Sequence, residues 1–395
     1  MNRKGNPHDR LSKLPDDLLL NILDRLHVRD AARTSLLSRR WRNLPSMLSQ
    51  LNIEFVHFMR DSASKLTADV LVQTNASVVE ATKSILERRN PGNLRFDASD
   101  IPNVLMTCKN LQYLRLFNFD SAIPSVLQLE HPQLNVLNIA KCRFESIKLK
   151  FLPKLTQFVI EDWISFQDPL SFGYVPSLEA MRLTNVGLKW HKLVKLCEIL
   201  GNTSVRDLGL DFRSEKIWVQ PELPQRLESA FYKLRLVNLF RVPEGCDLTW
   251  TLFILKAAPF LKELRMTVWD HWCDMEKDEE RRASLYSSKR SIEWESSAQD
   301  FKHHNLAVLT IFCFQSEDYL VAFIKRIMEV AVNLEDVFLY NMMACDMCLY
   351  NPSKFPRTKR QRCSVKNRIN QGGSFAIFQF FPTLKDDHFP ISRYP

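Results

Sequence analysis

Few side chains in this 395-residue chain are spaced for chemistry. Cys345 and Cys348 form its single C-x-x-C, with Cys363 nearby. A closed zinc site needs four nitrogen or sulfur ligands, and the fourth would have to be the distant His388. Packing thiols are the favoured reading for the nine cysteines, at 108, 142, 197, 246, 273, 313, 345, 348 and 363. The nine histidines make no metal-spaced cluster, and His303-His304 adjoin a polar insert where solvent exposure is expected. There is no H-E-x-x-H and no EF-hand loop. Glycine is the most informative residue by its scarcity. Only nine are present, and no two are spaced G-x-G. The dinucleotide fingerprint, the phosphate-cradling P-loop and the G-x-S-x-G elbow all need glycine where backbone turns sharply or approaches a ligand. No catalytic residue, metal or cofactor is therefore expected.

Charge is uneven. Residues 1–43 hold ten Lys/Arg against five Asp/Glu, and residues 353–370 hold seven against none, while the whole chain is +9. The body between these basic ends is thus slightly acidic. Basic clusters attract nucleic acid, anionic membrane or acidic protein. The start, MNRKGNPHDR, lacks the apolar stretch of a secretory signal, and no run of 18 apolar residues marks a membrane span. Reduced thiols in a cytoplasmic or nuclear setting are the expectation.

Residues 11–44 read LSKLPDDLLLNILDRLHVRDAARTSLLSRRWRNL. Proline at a first-turn position, followed by Asp16 and Asp17, opens a helix. Leu18, Leu19, Ile22, Leu23 and Leu26 form one broad apolar stripe. Asp30 is placed to cap a second short helix and Ser38 a third, which carries Trp41. Three small helices make too little core to stand alone, so their apolar residues need a cover, either this chain or a partner.

The joint pattern L-P-x-x-L-L-x-x-I-L-x-x-L and D-x-x-x-x-S-L-L-S-R-x-W-R-x-L resembles an F-box. Leu14 and Pro15 match its opening pair, and Leu18, Ile22, Leu23 and Leu26 its first helix. Asp30 matches the acidic turn position, and Ser35, Leu37, Ser38, Arg39 and Trp41 the closing helix. Ser38 departs from the cysteine that many members carry. The resemblance implies docking on the Skp-family adaptor of cullin-based ubiquitin ligases, with these residues at the contact and Trp41 as a large aromatic anchor.

The rest of the chain repeats itself. A frame L-x-x-L-x-L recurs nine times: Leu111/Leu114/Leu116, Leu134/Leu137/Ile139, Leu155/Phe158/Ile160, Leu178/Met181/Leu183, Val205/Leu208/Leu210, Leu234/Val237/Leu239, Leu261/Leu264/Met266, Leu306/Leu309/Ile311 and Leu334/Val337/Leu339. Its start-to-start spacings are 23, 21, 23, 27, 29, 27, 45 and 28, mostly within or near the range of leucine-rich repeats. Proline often sits two residues ahead, as at Pro132, Pro153, Pro176 and Pro259. Of the asparagine or cysteine that such repeats place three residues after the frame, only Cys142 is present. Each unit reads as a short strand plus a loop or helix, stacked into a solenoid. The fold class expected is α/β: a small all-α F-box domain followed by an irregular leucine-rich-repeat solenoid.

The expected organisation is a disordered 1–9, an F-box at 10–50 and a degenerate connecting region at 51–100. Repeats follow over 101–345 with a mobile insert at 270–305, and a segment over 346–395 resembles the FBD-type C-terminus of plant F-box/leucine-rich-repeat proteins. In a repeat strand the residue just before the third frame position and the one just beyond the frame face outward. Arg115, Phe117, Arg182, Phe240, Arg265 and Phe312 fall there and are the candidates for binding a target protein. The reading is a non-catalytic substrate receptor of a Skp-cullin-F-box ligase, with no membrane partner. A non-ligase scaffold or tether is the alternative, using the basic ends, including RTKRQR at 357–362, for nucleic acid or nuclear localisation. Nucleic acid is disfavoured because no aromatic platform adjoins that run.

Overall fold

The structure, a computed structural model, describes residues 11–26, 30–31, 34, 37–38, 40–41, 44–54, 101–118, 125–163, 170–185, 193–201, 203–213, 217–268, 301–341, 354–369 and 376–382. The expected disordered start, most of the connecting region at 51–100 and most of the insert lie outside these residues, as do Cys345 and Cys348. The chain divides into two compact units, Met1–Leu178 and Glu179–Pro395.

The first unit opens with α1 (Asp16–Leu23) and β1 (Gln50–Glu54), then α2 (Ile101–Thr107) and β2 (Tyr113–Phe117). It continues through β3 (Val126–Glu130), β4 (Val136–Ala140), β5 (Ser146–Phe151), β6 (Gln157–Trp163) and β7 (Leu170–Tyr174). β1, β2, β4 and β6 form one parallel sheet, and β3, β5 and β7 a second. The second unit holds β8 (Ala180–Asn185), α3 (Leu196–Leu200), β9 (Asp207–Asp211), α4 (Pro224–Phe231), β10 (Leu236–Val242), α5 (Leu252–Ala257) and β11 (Glu263–Val268). It ends with β12 (Val308–Phe312), α6 (Asp318–Val330), β13 (Asp336–Tyr340), α7 (Lys359–Ile369) and β14 (Ile377–Phe381). Its strands pair in chain order as one parallel sheet.

Repeat length decides what crosses back between frame strands. Where frames start 21–23 residues apart, in the first unit, the return is a second strand. Where they start 27–29 apart, in the second unit, it is a helix. A helix rises about 1.5 Å per residue against about 3.3 Å for a strand, so spanning the same layer helically takes several more residues. The outer strands were not expected from the frame alone, yet their alternation is legible: β3 runs exposed, buried, exposed, buried, exposed. β7 lies so close to β5 that a Cβ on Gly173 would stand 2.5 Å from the Lys150 carbonyl oxygen.

All nine frames are core. Every frame residue from Leu111 to Leu339 is buried, each contributing on the order of 1.5–3 kcal/mol of apolar burial. Strand register keeps like on like: Leu51, Leu114, Leu137 and Phe158 align in the first unit. Met181, Leu208, Val237, Leu264, Leu309, Val337 and Phe378 align in the second. Two frames missing from the sequence pattern thus flank the others. Leu48, Leu51 and Ile53 form one ahead of them, all buried. β14 adds another strand from within the C-terminal segment, so the expected boundary at 345 does not interrupt the sheet.

The strands exit through a recurrent left-handed residue. Asn118, Lys141, Asp162, Arg241 and Cys313 each sit two positions past a frame, with φ between 46° and 60°. None is glycine, although that conformation costs an L-residue some energy. Cys142, the one residue matching the asparagine-or-cysteine position, donates its thiol to the carbonyls of Ala140 and Leu116 at 3.3 and 3.4 Å.

Two histidines staple neighbouring repeats in the same way, one in each unit. His131 and His303 each stand three residues before a frame. The Nε2 of His131 lies 3.0 Å from the Cys108 carbonyl oxygen, and that of His303 lies 3.0 Å from Ala258 O. Their Nδ1 atoms accept backbone N–H groups, from Gln133 in the first case and from Asn305 and Leu306 in the second. An accepting Nδ1 and an Nε2 facing a carbonyl require the neutral ring. His303 is therefore buried rather than solvated, and residues 301–305 belong to the repeat rather than to the insert. Burial holds both rings below the ordinary histidine value, against the opposing carbonyl bond. A depressed folded pKa gives stability that is complete above the unfolded value near 6.5 and lost as pH falls through the folded one. Urea midpoints should be flat from pH 8 to 7 and drop towards pH 5.5. The double variant His131→Gln/His303→Gln should lower the midpoint at pH 7.5 yet flatten that drop. An undiminished slope would show that other groups carry it.

Candidate protein-docking surfaces

The N-terminal surface is set by how α1 divides its leucines. Pro15 is extended (φ −60°, ψ 157°) and precedes the helix, with Asp16 and Asp17 in the first turn where the helix dipole favours them. Leu19 and Leu23 turn inward, i to i+4, onto Ala31, Trp41, Leu44 and Leu48, with Leu14 and Leu20 packed on the rim. Leu18 and Ile22 on α1, and Leu26 in the turn after it, remain 48%, 38% and 39% exposed, and Leu11 and Leu37 are exposed as well. One broad stripe in the sequence is thus two in the structure. Pro15, Asp30 and Ser38 are exposed. Ser38 Oγ accepts the Trp41 N–H at 3.5 Å, the cap expected of it, whereas Asp30 is itself helical. Ser35 and Arg39 lie outside the described residues.

Two of the expected adaptor contacts need correcting. Leu23 and Trp41 are 1% and 3% exposed and form the core of this small domain instead of a docking anchor. So few residues can enclose a core only by turning their largest side chains into it. One ion pair and one set of hydrogen bonds, not foreseen from the sequence, tie down the two ends of α1. Arg40 Nε donates to Asp16 Oδ1 at 2.7 Å and its Nη2 to the Leu14 carbonyl at 2.5 Å. Asp24 accepts from Ser49 N, Ser49 Oγ and Gln50 N at 3.1, 2.6 and 3.3 Å, tying the end of α1 to the start of β1.

The outward candidates on the repeats separate by unit. In the first, Arg115 and Phe117 are half-buried on β2, the guanidinium 5.1 Å from the ring centre, and Lys141 Nζ approaches the same ring at 5.5 Å. In the second, Arg265 is half-buried and held by Glu263 at 2.6 Å. Arg182, Phe240 and Phe312 are buried, which corrects their expected place on a target-facing surface. Arg182 Nη2 donates to Asp211 Oδ2 at 2.8 Å, and its guanidinium lies 4.4 Å from the Phe240 ring centre. Phe312 stacks on Tyr340 at 4.9 Å, and Tyr340 on Phe381 at 4.5 Å. Gly209 is the seat of the first cluster: a Cβ there would meet Phe240 at 3.1 Å and Arg182 Cγ at 3.3 Å.

Asp211 is the centre of that cluster. It is fully buried, and besides Arg182 it accepts from Arg241 Nε and Nη2 at 2.8 and 2.5 Å and from Arg213 N at 3.1 Å. Its carbonyl accepts the Trp218 indole N–H at 2.9 Å. The sequence signal was only a second acid in DLGLD, at an alternating position among apolar residues. Among the described residues no group of His, Cys, Asp and Glu is placed to hold a metal, and no helix is long and apolar enough to cross a membrane.

Comparison with known proteins finds two matching families. Residues 93–370 match the family of the At1g61320/AtMIF1 leucine-rich-repeat domain, and residues 11–51 the F-box domain. The Arabidopsis thaliana F-box/FBD/LRR-repeat protein At4g26340 is 31% identical over 164 residues, 35% of this chain and 39% of that protein. F-box/LRR-repeat protein 13 of the same plant is 26% identical over 211 residues, 45% of this chain and 46% of its own length. F-box/FBD/LRR-repeat protein At5g53840, also from Arabidopsis, is 47% identical over 51 residues, 13% of this chain and 12% of that protein. The chain thus matches less than half the length of each of these relatives. With its buried frames in register and both domain matches, the chain belongs to the plant F-box/leucine-rich-repeat family, with an F-box ahead of a leucine-rich-repeat domain of the At1g61320/AtMIF1 type.

Proposed function

We propose that this chain is the target-receptor subunit of a Skp-cullin-F-box ubiquitin ligase. The observation that carries the reading is the exposed Leu18, Ile22 and Leu26 stripe, left over after α1 has filled its own core. Helix-in-groove docking uses apolar anchors at spacings such as the i, i+4 of Leu18 and Ile22, and Leu26 adds to them from the turn that follows α1. The Skp-family adaptor covers the stripe and links the chain to cullin, and the repeats hold a target protein. The chain supplies no catalytic group. Its contribution is effective concentration, bringing target lysines to a ubiquitin carrier bound elsewhere in the assembly.

The test is a reconstituted ligase with adaptor, cullin and carrier enzyme, read by ubiquitin transfer to proteins captured on the repeats. Transfer that requires the chain supports the receptor reading. A stable adaptor complex with no transfer to any captured protein would favour a tether instead, and absence of adaptor binding would sink both.

A further inference from the structure

We propose that the basic helix α7 is a docking surface for an acid-rich segment of a partner protein. As the place where a target would be held, it deepens the receptor reading and rests on it. Residues 354–369 contain seven Lys/Arg and no Asp or Glu. Some of these charges are already engaged. Lys354 pairs with Glu317, and Arg368 with Asp318. Arg362 lies over the Phe380 ring at 5.7 Å and donates to the Pro356 carbonyl. Lys359, Arg360 and Lys366 have no acidic partner among the described residues; Lys359 and Arg360 are exposed and Lys366 half-exposed.

This arrangement runs against the helix's own stability. Lys359 and Arg360 occupy its first turn, where no acid is present, and cations at the positive end of the dipole are unfavourable. Arg362 and Lys366 add a like-charge i, i+4 pair. The helix end itself is closed by a reciprocal cap: Thr358 Oγ1 accepts from Gln361 N at 3.2 Å, and Gln361 Oε1 accepts from Thr358 N at 3.0 Å. An anion would therefore be held by the side chains, not by free backbone N–H groups.

The chemistry of the face selects among anionic partners. Its apolar residues, Val365 and Ile369, are buried in the unit, and the residues exposed among the cations are Gln361, Cys363, Ser364 and Asn367. A membrane-binding helix would present apolar side chains, and single-stranded nucleic acid would need an aromatic platform. Carboxylates interleaved with amide and hydroxyl partners fit better. Lys359 and Lys366 stand about 10 Å apart along the axis at about 1.5 Å per residue, the span of about three extended residues.

The experiment uses the full chain in complex with the adaptor and follows fluorescence anisotropy of a 12-residue peptide of alternating Glu and Ser. The expected result is salt-sensitive binding, absent for the Gln/Ser counterpart. It should be weakened at least tenfold by Lys359→Gln/Arg360→Gln/Lys366→Gln with the thermal midpoint not lowered and the adaptor affinity unchanged. The charge-reversed Lys359→Glu/Arg360→Glu/Lys366→Glu should abolish it. Equal binding of the Gln/Ser peptide, or no effect of either triple variant, overturns the proposal. So does tighter binding of a 20-base-pair DNA duplex or of phosphatidylserine vesicles lost in the same variants, since the occupant would then be nucleic acid or membrane. Intact peptide binding by a chain that never holds the adaptor would sink the receptor reading and leave this surface standing.

Discussion

Replacing Asp211 with Asn is expected to destabilise the second unit by about 3–5 kcal/mol, the range for removing one partner of a buried ion pair. The loss arises from what is left behind. Arg182 is 5% exposed and lies under Phe240, so its charge stays out of water when the carboxylate that faces it becomes neutral. Arg241, whose side chain is 34% exposed, can turn to solvent and suffers less. The two arginines should therefore behave differently in double variants. Asp211→Asn/Arg182→Met keeps a long apolar stem beside Phe240 and removes the stranded charge, so it should recover most of the loss. Asp211→Asn/Arg241→Met should recover little. Urea unfolding of the three variants measures this. A loss below about 1 kcal/mol for Asp211→Asn, the scale of an exposed pair, would show that Arg182 reaches water and that the cluster does not hold the second unit together.

In the F-box, Trp41→Ala and Leu18→Asp/Ile22→Asp should both abolish adaptor capture, for opposite reasons. Trp41 is enclosed by Leu19, Leu23, Leu44 and Leu48, and deleting a buried tryptophan side chain costs about 3–5 kcal/mol, enough to unfold so small a core. Leu18 and Ile22 are exposed, and substitutions away from a core usually change stability by less than about 0.5 kcal/mol. Their loss should appear in binding alone. Anchor residues of an interface are worth about 2–4 kcal/mol each, so losing two should lower affinity by on the order of a thousandfold. The readout is adaptor titration alongside hydrogen exchange of residues 11–54. Adaptor binding that survives Leu18→Asp/Ile22→Asp with the fold intact would move the docking surface elsewhere.

This contrast also marks what the pattern of residues can and cannot say. Leu18, Leu19, Ile22, Leu23 and Leu26 are equally apolar, and periodicity puts them on one broad face. Only the position of the partner helices decides that 19 and 23 are core while 18, 22 and 26 are surface. The outward repeat positions behaved similarly. Alternation correctly sets Arg182, Phe240 and Phe312 opposite the frame residues, but whether that face meets solvent depends on what else covers it. Glycine scarcity excludes the phosphate-cradling motifs, but only the packing shows that a Cβ at Gly173 would collide with the Lys150 backbone and that one at Gly209 would crowd Phe240 and Arg182.

By itself the sequence determined nine of the repeat frames, because these follow from local spacing of apolar residues at i, i+3 and i+5. It also determined the F-box, because helix starts, caps and leucine spacing are local. The outer strands β3, β5 and β7 and the two flanking frames were decided by the tertiary structure, where neighbouring strands supply the missing register. Only the tertiary structure decided which charges are buried, that Asp211 joins two arginines 29 and 30 residues away, and that His131 and His303 act as neutral staples. Those contacts join residues one repeat or more apart, and a charge or an imidazole carries no mark in the sequence of whether stacking will take it out of water.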